Sequence, residues 1–182
     1  MHEATLAART VYEGRVVRLD VLEVELADGR RSVREIVRHA PAVAVLPRLP
    51  NGDFLLVRQY RKALESEVIE LCAGLREPGE TPEEAARREL LEETGRTATR
   101  LRHLGCVLAS PGYTDERIDL YLADCAEASR AADLDADEHV ELVRLRPEEL
   151  RQALRDNTIR DGKTLAAWAL AELRGWLDAG GL

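Results

Sequence analysis

Residues 74–96, GLREPGETPEEAARRELLEETGR, carry the reading of this chain. Thr81-Pro82 has the chemistry of a helix N-cap followed by a proline at the first helical position, and Gly95 suits the residue that closes a helix. Glu83 and Glu84 complement the positive end of the helix in its first turn. At about 100° per residue, Glu89, Glu92 and Glu93 fall within one arc of the predicted helix, with Leu90 and Leu91 on the other side. Between residues 77 and 93 stand seven glutamates (Glu77, Glu80, Glu83, Glu84, Glu89, Glu92, Glu93) against two arginines, Arg87 and Arg88.

Glu89 and Glu93 are one helical turn apart, and like charges at that spacing cost roughly 0.2–0.5 kcal/mol per pair. Arg88 stands four residues before Glu92 and offsets one carboxylate. A solvated surface face is the ordinary explanation of a Glu/Arg-rich helix. A hard divalent cation is the alternative, because Mg²⁺ takes carboxylate oxygens and fills its remaining positions with water and substrate phosphates. For an arbitrary helix of this composition the solvated face is the better reading; what favours the cation is the signature this pattern resembles.

Gly74, Glu80, Arg88, Glu89, Leu90, Glu92, Glu93 and Gly95 resemble, at the same gaps, the signature of the Nudix hydrolases. One position departs from it: Arg96 stands where the signature has an aliphatic residue, which bears on local packing and leaves the carboxylates in place. The resemblance implies an α/β fold, an α/β/α sandwich with a mixed sheet, and metal-assisted hydrolysis of a pyrophosphate bridge. It implies metal ligands at Glu89, Glu92, Glu93 and the carbonyl of Ala73, with Glu89 and Glu93 as catalytic residues and Mg²⁺ or Mn²⁺ as the ion. Gly74 suits a backbone that turns tightly there.

The rest of the chain fits one such domain with an N-terminal appendage. Its 182 residues can bury a full core, and 45% hydrophobic with 33% charged residues is an ordinary globular composition. A formal charge of −8 argues against a nucleic-acid surface and means an anionic substrate must be met by metal and local arginines. No apolar run reaches membrane length, and residues 1–12 lack the apolar core of a signal peptide. Cys72, Cys106 and Cys125 are scattered without metal-like spacing and read as buried thiols of a cytoplasmic protein.

Residues 15–26 alternate apolar and polar, residues 27–30 (ADGR) supply a turn, and residues 32–38 resume the extended pattern, which predicts a hairpin or small sheet. A hairpin alone is marginal in water and must dock on its own domain or a second subunit. The expected division is residues 1–39 as a β-rich segment serving a homodimer and residues 40–182 as the Nudix domain. By resemblance, such a sheet is exchanged between two subunits and brings Arg34 toward the substrate.

Apolar runs at residues 42–46 and 54–57, joined by Asn51-Gly52, predict strands buried on both faces. Arg58-Gln59-Tyr60-Arg61 follows. It is either surface charge or a fork for phosphate, which guanidinium binds bidentately. In nucleoside-diphosphate-sugar members of the family a similar segment places an arginine on the phosphates, and Arg61 holds that slot. Residues 67–72, 98–109, 117–124 and 139–145 predict further strands. Residues 110–116, SPGYTDE, are a loop by composition. By resemblance they mark the ADP-ribose pyrophosphatase branch, with Pro111 and Gly112 shaping the site wall and Glu116 an acidic partner in it.

Residues 126–138 are acidic and Ala-rich. Either they are a solvated loop or one carboxylate swings in as general base, and the resemblance favours Glu138. Residues 146–156 and 163–177 predict helices, the second with a stripe of Leu165, Trp168, Ala169, Leu173 and Trp176. The expected reaction is hydrolysis of ADP-ribose to AMP and ribose 5-phosphate. Another nucleoside diphosphate sugar or a dinucleotide is the alternative substrate, and a ligand-sensing module without turnover the alternative class. The complete glutamate set speaks against the latter.

Overall fold

The computed structural model describes residues 2–126 and 140–177. The chain forms two compact units, Met1–Pro41 with Leu108–Arg117, and Ala42–Val107 with Ile118–Leu182. In the first unit β1 (Ala4–Glu13), β2 (Val17–Glu25) and β3 (Arg31–His39) form an antiparallel sheet in the order β1-β2-β3. The expected hairpin is β2–β3, turned at Gly29, whose φ of +82° suits a residue without Cβ. A third strand, β1, precedes it, and all ten of its residues are exposed. Buried Asp20 on β2 ties the three strands together. It accepts from Thr10 Oγ1 on β1 at 2.8 Å and from Arg38 Nε on β3 at 3.1 Å, and these bonds hold its carboxyl below the usual range.

Residues 108–117 return to the same unit. Val37 N donates to Tyr113 O at 2.8 Å, while the Asp115 carboxylate accepts from Arg38 Nη1 and from the His39 amide, each at 3.0 Å.

The second unit holds a seven-stranded sheet of β4 (Ala42–Arg48), β5 (Phe54–Arg61), β6 (Ser66–Glu70), β7 (Cys72–Leu75), β8 (Ala98–Leu108), β9 (Arg117–Cys125) and β10 (Val140–Leu145). The path runs β10-β5-β4-β9-β8, with β6 on β5 and β7 on β4. β4 pairs with β9 in parallel and with β7 antiparallel, so the sheet is mixed.

Alternation along β4 explains the layers. Ala42, Ala44 and Leu46 enter one core cluster, and Val43 and Val45 the other. Helix α1 (Pro82–Thr94) adds Ala85, Ala86 and Leu90 to the second cluster. Helices α2 (Pro147–Arg155) and α3 (Gly162–Leu173) add Leu150, Ala167, Trp168 and Ala171 to the first. The result is the expected α/β/α sandwich. Trp168 packs edge-on against Phe54, ring centroids 5.4 Å apart.

Two expectations need correction. Helix α3 stops at Leu173, closed by Gly175 at φ +66°, with Gly175 N on Glu172 O and Trp176 N on Ala171 O. This paired capping geometry satisfies the last carbonyls and turns Trp176 out of the helix. The buried stripe of α3 is Thr164, Ala167, Trp168 and Ala171, whereas Leu173 is 84% exposed. Among the cysteines, Cys106 is exposed while Cys72 and Cys125 are buried, and burial pushes the Cys125 thiol up to about 12. No helix of the described residues is long and apolar enough to cross a membrane.

Candidate active site

Helix α1 begins as its sequence dictates. Thr81 Oγ1 accepts from Glu84 N at 3.3 Å and the Glu84 carboxylate accepts from Thr81 N at 2.8 Å, which completes a capping box with Pro82 inside it. Gly95, at φ +67°, closes the helix by donating to Leu91 O at 2.9 Å. Between these ends two of the three carboxylates of the acidic arc are withdrawn from water, while the Glu92 side chain stays 40% exposed. Glu89 is 9% exposed and Glu93 5%.

Gly74 on β7 explains where Glu89 goes. A Cβ at Gly74 would lie 2.0–2.4 Å from the three atoms of the Glu89 carboxyl group. The head group thus fills the volume that any other residue on β7 would occupy. Gly74 is required by this approach of helix to strand, not by a tight turn, since it sits in regular pairing opposite Val43. Ala73 precedes it, held opposite Ala44.

Arg88 organises the remaining carboxylates. Nε and Nη2 each reach Glu80 at 2.9 Å, Nη1 reaches Glu89 at 2.6 Å and Glu92 at 3.0 Å, and Nη2 also donates to Leu75 O at 2.9 Å. One guanidinium therefore links the loop before α1, the end of β7 and two turns of the helix. The hydrogen bonds between them hold Glu80 below the usual carboxylate range and raise Arg88 above the usual guanidinium range. The expected partnership with Glu92 is present as one of several.

Glu89, Glu92, Glu93 and Ala73 lie together in the second unit. Among the described residues, no three His, Cys, Asp or Glu side chains converge as a closed metal cage. Mg²⁺ does not ask for one, since it is commonly bound by one or two carboxylates plus water and substrate phosphates. Two buried carboxylates one helical turn apart, Glu89 in the glycine notch and Glu93, supply hard oxygen donors of that kind, and the residues fit a divalent ion.

Arg61, at the end of β5, is committed to a partner that sequence reading did not single out. Its Nε and Nη2 reach Glu70 at 2.7 and 3.0 Å. Glu70 is 2% exposed and also takes Lys163 Nζ, from the first turn of α3. The Glu70 hydrogen bonds raise Arg61 above the usual guanidinium range, and the charge of Glu93 adds to this. Glu70 lies in the short strand before the glycine notch, and the Asp161-Gly162-Lys163-Thr164 run is an N-cap signal that could have pointed to Lys163. Nothing local joins the two.

The remaining candidates belong to the first unit or lie outside the described residues. Arg34 belongs to the first unit and pairs with Glu3 at 3.0 and 2.6 Å. Pro111, Gly112 and Glu116 are in the same unit, where Ser110 O accepts from Tyr113 N at 3.1 Å and Thr114 N at 3.0 Å. A Cβ on Gly112 would meet nothing within 4 Å, so local packing does not demand glycine there. The Glu116 carboxylate lies 3.7 Å from His39 Nδ1. Glu138 lies outside the described residues. Arg96 is only partly buried, and its amide donates to Thr94 Oγ1 at 3.3 Å.

A mixed sheet between helices, with α1 seating the Glu89 carboxylate in a glycine notch of β7, is the frame of this site. The NUDIX domain model matches residues 38–168, and the chain belongs to the Nudix family. It is 38% identical over 180 residues to an ADP-ribose pyrophosphatase of Bacillus subtilis (strain 168), covering 98% of this chain and 97% of that protein. It is 42% identical over 173 residues to a methanol dehydrogenase activator of Bacillus methanolicus, covering 94% of each. A crystal structure of an ADP compounds hydrolase superposes with a TM-score of 0.85 at 28% identity, over 100% of this chain and 97% of that one.

Proposed function

We propose that this protein hydrolyses the pyrophosphate bond of ADP-ribose to AMP and ribose 5-phosphate, using Mg²⁺, with Mn²⁺ as a substitute. The observation that carries the reading is the pair of buried carboxylates one helical turn apart, Glu93 and Glu89, the latter seated in the notch at Gly74. Two like charges withdrawn from water cost free energy; Arg88 offsets part of that cost at Glu89, and a divalent ion would offset more. The relative named ADP-ribose pyrophosphatase, similar over almost its whole length, supports the substrate.

In this reading Glu89 and Glu93, with Glu92 and the Ala73 carbonyl, hold the ion. A bound divalent ion supplies charge neutralisation at the diphosphate and lowers the pKa of water. Arg88 fixes the rotamers of Glu89 and Glu92 through the contacts above. Arg61 faces a phosphate. Glu138 takes the proton of the attacking water, and Arg34, Pro111, Gly112 and Glu116 contact the substrate, these assignments resting on the family resemblance. The exposed side chains of Leu6, Val11 and Tyr12 on β1, each more than 40% accessible, support a homodimer through the N-terminal segment, residues 1–39, with residues 40–182 as the catalytic domain. Light scattering should then report about twice 20.3 kDa. A cytoplasmic location follows from free cysteines and a nucleotide substrate.

Release of the nucleoside monophosphate from a panel of ADP-ribose, other nucleoside diphosphate sugars and dinucleotides, with Mg²⁺ and with EDTA, tests the proposal. AMP should appear from ADP-ribose in Mg²⁺ and fall to background in EDTA. A faster rate on another diphosphate would move the substrate, and no turnover of any would leave a ligand-sensing module. Glu138→Gln should lower kcat by about 10²–10⁴ with KM little changed, the range of a general base. An unaltered kcat transfers that role to another carboxylate.

A further inference from the structure

Glu70 is almost wholly buried, 2% exposed, and receives two cations from distant parts of the second unit. Arg61 reaches it from β5 through Nε and Nη2 at 2.7 and 3.0 Å. Lys163 reaches it from α3, with Nζ on Oε2, the same oxygen that Arg61 Nη2 contacts. Lys163 is fixed in turn by Asp161, 3.0 Å from Nζ, and Asp161 caps α3 by accepting from Thr164 N at 3.0 Å. Thr164 Oγ1 donates to Asp161 at 2.6 Å and accepts from Leu71 N, the residue after Glu70, at 3.1 Å. The first turn of α3 is thereby bolted to β6 and, through Glu70, to Arg61.

A guanidinium has five N–H donors. Arg61 spends Nε and Nη2 on Glu70, and its Nη1 edge lies outside that pair. We infer that Lys163 is a positioning residue for the phosphate-facing arginine: by sharing the Glu70 carboxylate it holds Arg61 in one orientation, with the Nη1 edge turned to an anionic diphosphate. Without Lys163, the buried Glu70 charge has Arg61 as its remaining cation, and the guanidinium is drawn inward to compensate. Loss of one charge-assisted bond of this kind weakens what depends on it by roughly tenfold. The inference rests on the proposed function for its substrate, though not for its geometry.

The test uses the full chain. Lys163→Met should raise KM for ADP-ribose about tenfold, and raise by the same factor the Kd of ADP-ribose measured calorimetrically in EDTA, where no turnover confuses binding; kcat should stay within about threefold. Lys163→Arg, which keeps a cation at Glu70, should bring both constants back to within about threefold of wild type. In an Arg61→Ala background Lys163→Met should change neither constant further, because the two act as one unit. A melting temperature that falls while KM and Kd hold at wild-type values makes Lys163 merely structural and overturns the inference. Additive effects in the Arg61→Ala background do the same. If Lys163→Met does not fold, Lys163→Gln, uncharged but still a donor, takes its place in the cycle. A wild-type chain that neither binds nor cleaves any diphosphate sinks the functional reading itself, and that failure is visible before any variant is made.

Discussion

Glu93→Gln is expected to remove turnover by about 10³-fold while leaving the sandwich folded. A metal-bound charge stabilises a phosphoryl transition state by several kcal/mol, and about 1.4 kcal/mol is tenfold in rate. The substitution removes a ligand charge and almost no volume, at a position 5% exposed on the buried face of α1. Its effect on stability has the opposite sign. Glu89, one turn earlier, is also buried, and two carboxylates withdrawn from water repel each other. In EDTA the variant should therefore melt at or above the wild-type temperature.

Saturating metal reverses the order. An ion at 100 times its Kd stabilises the wild type by about 2.7 kcal/mol, and the variant should lose most of that gain. A thermal melt with and without Mg²⁺ reads both effects, and a steady-state assay reads the turnover. A variant with kcat within tenfold of wild type, or one that melts well below it in EDTA, would remove Glu93 from the metal site.

What the sequence made legible follows from the range of the forces involved. Helix α1 was readable to the residue because its caps are local: Thr81, Pro82, Glu84 and Gly95 act within four positions of their partners. The strands of the sandwich were readable because residues 42–46 and 54–57 are apolar without interruption. The buried face of α3 was misplaced by about one residue in phase. Its inner positions include Thr164, Ala167 and Ala171, which carry little hydrophobic signal, while Leu165 and Leu173 carry more and face outward.

Long-range pairs left no pattern at all. Asp115 meets Arg38 across 77 residues and Lys163 meets Glu70 across 93, so neither the return of residues 108–117 to the N-terminal sheet nor the second cation on Glu70 could be anticipated. Strand β1 was missed for a different reason: with every residue exposed, it lacks the one-sided burial that makes alternation informative.

Gly74→Ala should be nearly as damaging as loss of a metal ligand, though it adds only a single uncharged methyl group. The new Cβ would stand 2.0 Å from Glu89 Oε1 and 2.2 Å from its carboxyl carbon, distances no pair of atoms tolerates. Strand β7 cannot retreat, because Gly74 is paired opposite Val43 inside the sheet and its neighbour Cys72 is fully buried opposite Val45. The carboxylate must therefore swing away. Arg88 opposes this, since its Nη1 holds Glu89 at 2.6 Å while its other nitrogens are tied to Glu80 and Leu75. Displacing Glu89 thus drags on the loop before α1 as well as on the helix. Overpacking of this kind costs about 1–3 kcal/mol of stability. A misplaced ligand costs more in rate, since about 1 Å of misplacement is worth on the order of 10²-fold. Gly74→Ala is accordingly expected to lose about 100-fold in kcat with a melting temperature several degrees lower. Shortening the opposing side chain separates crowding from chemistry: in a Glu89→Ala background the same glycine substitution should no longer lower the melting temperature, because the clash has been removed. If Gly74→Ala destabilises the Glu89→Ala protein as much as it does the wild type, the glycine serves the strand and not the carboxylate.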